Sequence, residues 1–254
     1  MLTPDANRRK AAETPASTSE QNLNGLDLYG DGFLPLMDCQ GHRLAPECAA
    51  QFIKMQTAAA IDGIEIAICS SYRDFDRQLG IWNAKASGKR PVLDAGSQPI
   101  DIQRLDDNQL LDAILLWSAM PGMSRHHWGT DLDLYDAKNT SRESLRLVDT
   151  EYHPGGPCHQ LHLWLMANAA DFGFYFPYQL GLSGVSPEPW HLSYYPLADT
   201  YLAAFDTDKL KARLEQADIE LKAPILTRLE ALVSRYVYFV APSPNGPVNP
   251  IIKK

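Results

Sequence analysis

The chain has 254 residues, 45% hydrophobic and 21% charged, enough at about 150 residues per domain for one large domain with extensions and for a core that needs no staples. Its 23 Lys and Arg against 31 Asp and Glu give a formal net charge of −8, which excludes a general nucleic-acid or anionic-membrane surface, because phosphate binding needs clustered cations. Collagen, coiled coil and wholesale disorder are excluded by the same composition, and an anionic small substrate would need a local cation rather than a basic face.

Residues 1–23 are polar and rich in Ala, Thr and Ser, and read as a disordered or loosely packed segment. Residues 24–254 read as one domain, with a motif-bearing core over about 45–200 and a helical extension over 201–254. The first residues show no apolar h-region, so no Sec leader is expected. No run approaches about 18 apolar residues, so no membrane span is expected either. The expectation is a cytoplasmic protein. Four cysteines occur, Cys39, Cys48, Cys69 and Cys158, without a CxxC, which argues against a thiolate zinc site. Four reduced thiols are expected, with Cys39–Cys48 as the pair to consider in an exported protein.

In chain order, residues 46–61 predict a helix with Pro46 near its first turn, broken by Gly63. The run Ile64–Ile68 alternates and predicts a strand. Asp74–Lys85 returns to helical spacing, with Phe75, Leu79 and Trp82 on one stripe. Residues 86–104 read as a loop punctuated by Gly and Pro, and Leu105–Trp117 as an amphipathic helix. Asp131–Tyr135 alternates again as a strand, and His159–Asp171 reads as a helix ending near Gly173. Residues 179–189 form a Gly/Ser/Pro loop, and the stretch HLSYY from His191 is a further candidate strand. Residues 207–235 hold one or two helices, and VYFVA (237–241) suggests a late strand. There is no internal repeat and no regular βαβ spacing, so the fold class is α+β, a small antiparallel sheet flanked by helices.

Three polar clusters carry chemistry. In Ser124–Leu134, Leu132 and Leu134 share one face of the strand, while Asp131 and Asp133 share the other. Gly129 lets the chain turn between that strand and His126. An imidazole and a carboxylate can therefore converge, although a capping Asp and a surface His fit the segment too. In Ser186–Leu192, Glu188 lies three residues before His191, and Pro189 disfavours a helical Glu188, so this is not a helical HExxH. Taken together, His126, Asp133 and His191 make a set of two imidazoles and one carboxylate with a fourth position for water. Such open N/O sites suit catalytic zinc, and Glu188 is placed to accept the water proton and pass it to a leaving amine. The third cluster, Ser70–Gln78, opens a helix, where Asp74 and Asp76 suit the first turn. Arg73 there can hold a carboxylate bidentately or pair with a neighbouring Asp. His127 reads as a neighbour that lines the site or hydrogen-bonds. His159 and His162 sit i, i+3 on a helix and lack a third partner for a metal.

These motifs resemble the M15 family of zinc D,D- and L,D-carboxypeptidases, in the wider group of lysostaphin-type and hedgehog-type zinc domains. The pattern S-x-H-x-x-G-x-A-x-D is met by Ser124, His126, Gly129 and Asp133, E-x-W-H by Glu188, Trp190 and His191, and S-x-Y-R by Ser70, Tyr72 and Arg73. The resemblance, over roughly residues 45–200, implies one zinc ion held by His126, Asp133 and His191, with Glu188 as catalytic base. It implies that Arg73 lies near the terminal carboxylate or the scissile carbonyl, and that Gln78, Ser124, Tyr178 and Trp190 contact substrate. One departure is Asp131, where the family has a small residue; it is either an outer support of the metal ligands or a rival ligand. The implied function is removal of a C-terminal D-amino acid from peptidoglycan stem peptides or muropeptides by a monomer that binds no nucleic acid. The missing leader favours an L,D-carboxypeptidase acting on tetrapeptides in cell-wall recycling. The alternatives are a D,D-carboxypeptidase on pentapeptides, a phage-type endopeptidase, or a zinc-binding module without turnover.

Overall fold

A computed structural model describes residues 27–244; the segment 1–23 lies outside them. The first elements are two three-residue strands, β1 (Met37–Cys39) and β2 (His42–Leu44), paired as an antiparallel hairpin. They are too short to show a period and had no sequence signal. α1 (Pro46–Ile61) has the predicted bounds, with Pro46 in the first turn, where its missing N–H leaves no bond unmade. β3 (Ile66–Ser70) starts two residues later than the alternation suggests.

Local caps start the next helices. The Asp74 side chain accepts from the Arg77 N–H at 2.7 Å and opens α2 (Phe75–Ala86). A capping box of Asp106 and Gln109 opens α3 (Asp107–Leu115), satisfying amides that have no partner inside the helix. β4 (Asp131–Asp136), α4 (His159–Asn168), β5 (Phe174–Tyr175) and β6 (His191–Tyr194) follow. The chain continues through α5 (Tyr195–Ala203), α6 (Thr207–Gln216) and α7 (Lys222–Val233).

Strands β3, β4, β6 and β5 form, in that order, an antiparallel sheet. This is the α+β architecture expected, a small sheet with helices around it. Period-two alternation divides the labour of its faces. Leu132, Leu134, Ile66, Ile68 and Leu192 are buried with Phe52 and Met55 of α1 and Leu161 and Leu165 of α4. The polar residues of β4 and β6 fall on the opposite face. A register shift between Ile68 and Ser70 is a bulge of the kind that re-aims a strand end beside a site.

A second core joins α2, α3, α5, α6 and α7. Trp82, Leu111, Trp128, Tyr201, Leu210, Leu214, Ile225 and Leu229 belong to it, and the Trp82 indole donates to the Glu220 carbonyl at 3.0 Å. VYFVA does not form a strand. Residues Ser234–Tyr238 continue α7 as a π-helical turn, because Val237, Val240 and Ala241 find apolar cover without a strand partner. A short apolar run reads alike in either state. All four cysteines are buried and free. Among the described residues no helix is long and apolar enough to cross a membrane.

Gly129 controls the approach to the polar face. Its φ is +68°, and a Cβ there would collide with the Leu36 side chain and come within 3.2 Å of the Ala45 nitrogen. Gly129→Ala is expected to cost about 1–3 kcal/mol, read as a fall of several degrees in melting temperature.

Candidate functional site

The β4–β6 register sets Asp133 opposite His191 and Asp131 opposite Ser193, so all four project from the face turned away from the leucines. A 3-10 turn, Arg125–Trp128, ends at Gly129 and delivers His126 to the same face. One potential ligand atom from each of His126, Asp133 and His191 lies within 4.8 Å of the others, and all three residues are buried. His126 Nε2 is 3.4 Å from Asp133 Oδ2, and His191 Nδ1 is 3.1 Å from Asp133 Oδ1. The outer ring nitrogens are occupied. His126 Nδ1 meets the Ser71 carbonyl at 2.9 Å, and His191 Nε2 meets Asp131 Oδ1 at 2.9 Å. An imidazole whose outer N–H is taken by an acceptor can present a bare inner nitrogen to a metal; without one, the carboxylates of Asp131, Asp133 and Glu188 outweigh burial and hold His191 well above its ordinary value. Asp133 Oδ1 is buried there without a hydrogen-bond partner. The residues present therefore suit a divalent cation.

Asp131 lies outside this three-residue cluster. Its carboxylate takes His191 Nε2–H, the Arg125 Nε–H at 2.9 Å and the hydroxyls of Thr130 at 2.6 Å and Ser193 at 3.1 Å. Arg125 also donates to Ser193 Oγ at 2.6 Å and lies over the Trp128 ring. Burial by itself would raise the Asp131 carboxyl, but Arg125 and then His191 outweigh it and hold the group well below the usual carboxylate range. Asp133 is likewise pushed up by burial and brought well below by His126 and His191. Arg125 and Ser193 were not singled out from the sequence. Ser193 had a readable signal, two residues from His191 on a strand facing Asp131, whereas nothing local marks Arg125 as buried.

Glu188 stands beside this centre, with Oε2 3.4 Å from His191 Nδ1. Its Pro-flanked loop is pinned by backbone bonds from Glu188 N–H to the Tyr178 carbonyl and from His191 N–H to the Glu188 carbonyl. Burial pushes the Glu188 carboxyl up, opposed by its contact with His191. A carboxylate nearer to neutral pKa is the better proton acceptor and donor.

A cavity of about 250 Å³ opens onto the cluster, lined by Arg73, Ser124, Tyr178 and Trp190 together with Glu188 and the three candidate ligands. At about 30 Å³ per water it holds roughly eight waters, room for the end of a peptide. Tyr178 packs its ring 4.7 Å from His191, and Trp190 stacks on Trp117. Arg73 donates through Nη1 to Gln78 Oε1 at 3.0 Å, while its Nε is buried without a partner. Arg73 pairs with no neighbouring Asp among the described ion pairs. Gln78, expected to contact substrate, is not among the residues lining the cavity. Its amide spans Arg73 and the Ala119 carbonyl, at 2.6 Å, and it holds the guanidinium from behind.

The other histidines stay outside the centre. His127 accepts from the Gly122 N–H through Nε2 and meets the Arg73 carbonyl through Nδ1, and burial lowers it to about 4. It is a neutral brace for the Arg73 backbone. His159 reaches the Tyr152 carbonyl, and His162 packs on Phe176.

The chain matches the family described as "VanY: D-alanyl-D-alanine carboxypeptidase" over residues 41–197. An uncharacterised protein of Haemophilus influenzae is 40% identical over 87 residues, 34% of this chain and 60% of that protein. A D-alanyl-D-alanine carboxypeptidase of Enterococcus faecalis is 27% identical over 141 residues, 54% of this chain and 42% of that protein. The match thus spans less than two thirds of the length of either relative. The solved structure of VanYB in complex with D-alanine-D-alanine is similar with a TM-score of 0.49 and 21% identity, covering 73% of this chain and 90% of that one.

Proposed function

Because the chain belongs to the VanY family of D-alanyl-D-alanine carboxypeptidases, we propose that it is a zinc peptidase releasing the C-terminal D-residue of peptidoglycan stem peptides. The observation that carries this reading is the convergence of His126, Asp133 and His191 beside Glu188 in a small cavity. His126 through Nε2, His191 through Nδ1 and Asp133 through its carboxylate would hold the ion. When bound, zinc supplies polarisation of a carbonyl and a water of lowered pKa.

The chain's own groups account for the rest. Glu188 takes the proton from the attacking water and returns it to the departing amine. Arg73 offers its unpartnered Nε edge to a carboxylate, with Gln78 and His127 fixing the side chain and the backbone. A planar guanidinium held in this way binds a carboxylate bidentately. Ser124, Tyr178 and Trp190 wall the cavity. Asp131 and Arg125 keep His191 in the tautomer that donates from Nε2. Asp131→Asn is expected to weaken zinc binding about 10–100-fold, as measured by competition with a chromophoric chelator.

The family description and the Enterococcus relative support the D,D bond of a pentapeptide end, and no feature of the cavity favours the L,D bond of a tetrapeptide over it. Defined penta- and tetrapeptide muropeptides, offered with and without chelator and followed by mass spectrometry, test the reading. Release of D-alanine from the pentapeptide, abolished by chelator and restored by zinc, is expected. Release from the tetrapeptide alone would move the scissile bond to the L,D position, and release from neither by the zinc-loaded protein would overturn the assignment.

A further inference from the structure

Beside the carboxylates of Asp133 and Glu188, the cavity is lined by more cations than one terminal carboxylate needs. Besides Arg73 it is lined by Lys85 and Arg146. Lys85 lies in the last turn of α2, seven residues after Gln78 and hence on the same helix face. Its ammonium enters none of the ion pairs among the described residues, which involve Arg104, Arg125, His126, His191, Arg213 and Arg228. Burial lowers the Lys85 ammonium, and Arg90 and Arg73 lower it further, while Glu188 alone opposes them. A half-buried cation that faces two cations, one carboxylate and no ion-pair partner is costly in a folded protein, and conspicuous in a chain of net charge −8. An anion arriving from outside removes that cost.

The free edge of Arg73 is sufficient for one carboxylate, since Nη1 is held by Gln78 and the buried Nε has no partner. An alanine leaving group carries no second anion. The next carboxylate along such a peptide belongs to the acyl side. We propose that Lys85 binds a second substrate carboxylate, carried by a residue on the acyl side of the scissile bond, while Arg73 binds the terminal one. This rests on the stem-peptide reading above. It makes Lys85 a specificity residue for stems whose third residue bears a free acidic group. Diaminopimelate and lysine differ at that position by one carboxylate and are the matched pair.

The experiment compares the zinc-loaded full chain with Lys85→Ala on two D-alanyl-D-alanine peptides that are identical except for diaminopimelate or lysine. The expected result is a wild-type preference in kcat/KM for the diaminopimelate peptide, cut about tenfold or more in Lys85→Ala through KM, as for loss of a charge-assisted bond. Lys85→Glu should reverse the preference. An equal loss on both peptides would assign Lys85 to a carboxylate that the two share, and an unchanged preference would remove it from substrate binding; either overturns the proposal. Lys85→Met keeps the apolar stem and replaces the alanine variant if that one fails to fold. Should the wild type hydrolyse neither peptide, the function reading fails on its own. Calorimetric binding of the two peptides then still tests Lys85, by whether tighter binding of the diaminopimelate form disappears in the variant.

Discussion

Glu188→Ala is expected to lower kcat about 10²- to 10⁴-fold while the protein still binds one zinc ion with near wild-type affinity. The reason is positional. Glu188 is buried beside His191, yet His126, Asp133 and His191 can hold a cation without it. The loss should fall on kcat and on kcat/KM together, the signature of an interaction made in the transition state. Metal analysis of the purified variant and steady-state kinetics on the pentapeptide check both halves. Activity within a few-fold of wild type would remove Glu188 as the base and favour a zinc-binding module without turnover. Loss of the metal would make Glu188 a ligand instead.

His191→Ala should have the larger effect, abolishing turnover and weakening the metal by more than the about 10–100-fold expected for an outer partner. His191 is the junction of the site, with one nitrogen in the centre and the other on Asp131. The variant should still fold, because Asp131 keeps Arg125, Thr130 and Ser193 as donors. Thermal unfolding with and without zinc provides a readout independent of activity. A ligand at about 100 times its Kd stabilises the native state by about 2.7 kcal/mol, so the wild type should melt higher with zinc and His191→Ala should not. A zinc-dependent rise of equal size in the variant would place the ion elsewhere.

The candidate metal and base residues were legible because each sits in a short motif whose local geometry is dictated by few residues. Alternation in Asp131–Leu134 decides which side chains share a face, and Gly129 decides that the chain can turn there. The helices α1, α2 and α3 were legible for the same reason, since Pro46, Asp74 and Asp106 are start signals written in the helix ends. Where a signal needs length, it failed. The β1–β2 hairpin has three residues per strand, β5 has two, and neither shows a period.

Tertiary packing decided what adjacency in sequence cannot express. Arg125 and Arg73 look alike on paper, but Arg125 is bonded to Asp131 and Ser193 away from the cavity, whereas Arg73 is one of the residues that line it. Gln78 reads as a substrate contact, and the fold sets Arg73 and the Ala119 carbonyl at the two ends of its amide. Asp131 reads as ligand or support, and the β4–β6 register sets Ser193 across from it, with Arg125, Thr130, Ser193 and His191 around its carboxylate. Residue type and spacing are local quantities and determined which groups could do the chemistry. Burial, partner and direction depend on chain segments tens of residues away, and only the assembled sheet and its covering helices could assign them.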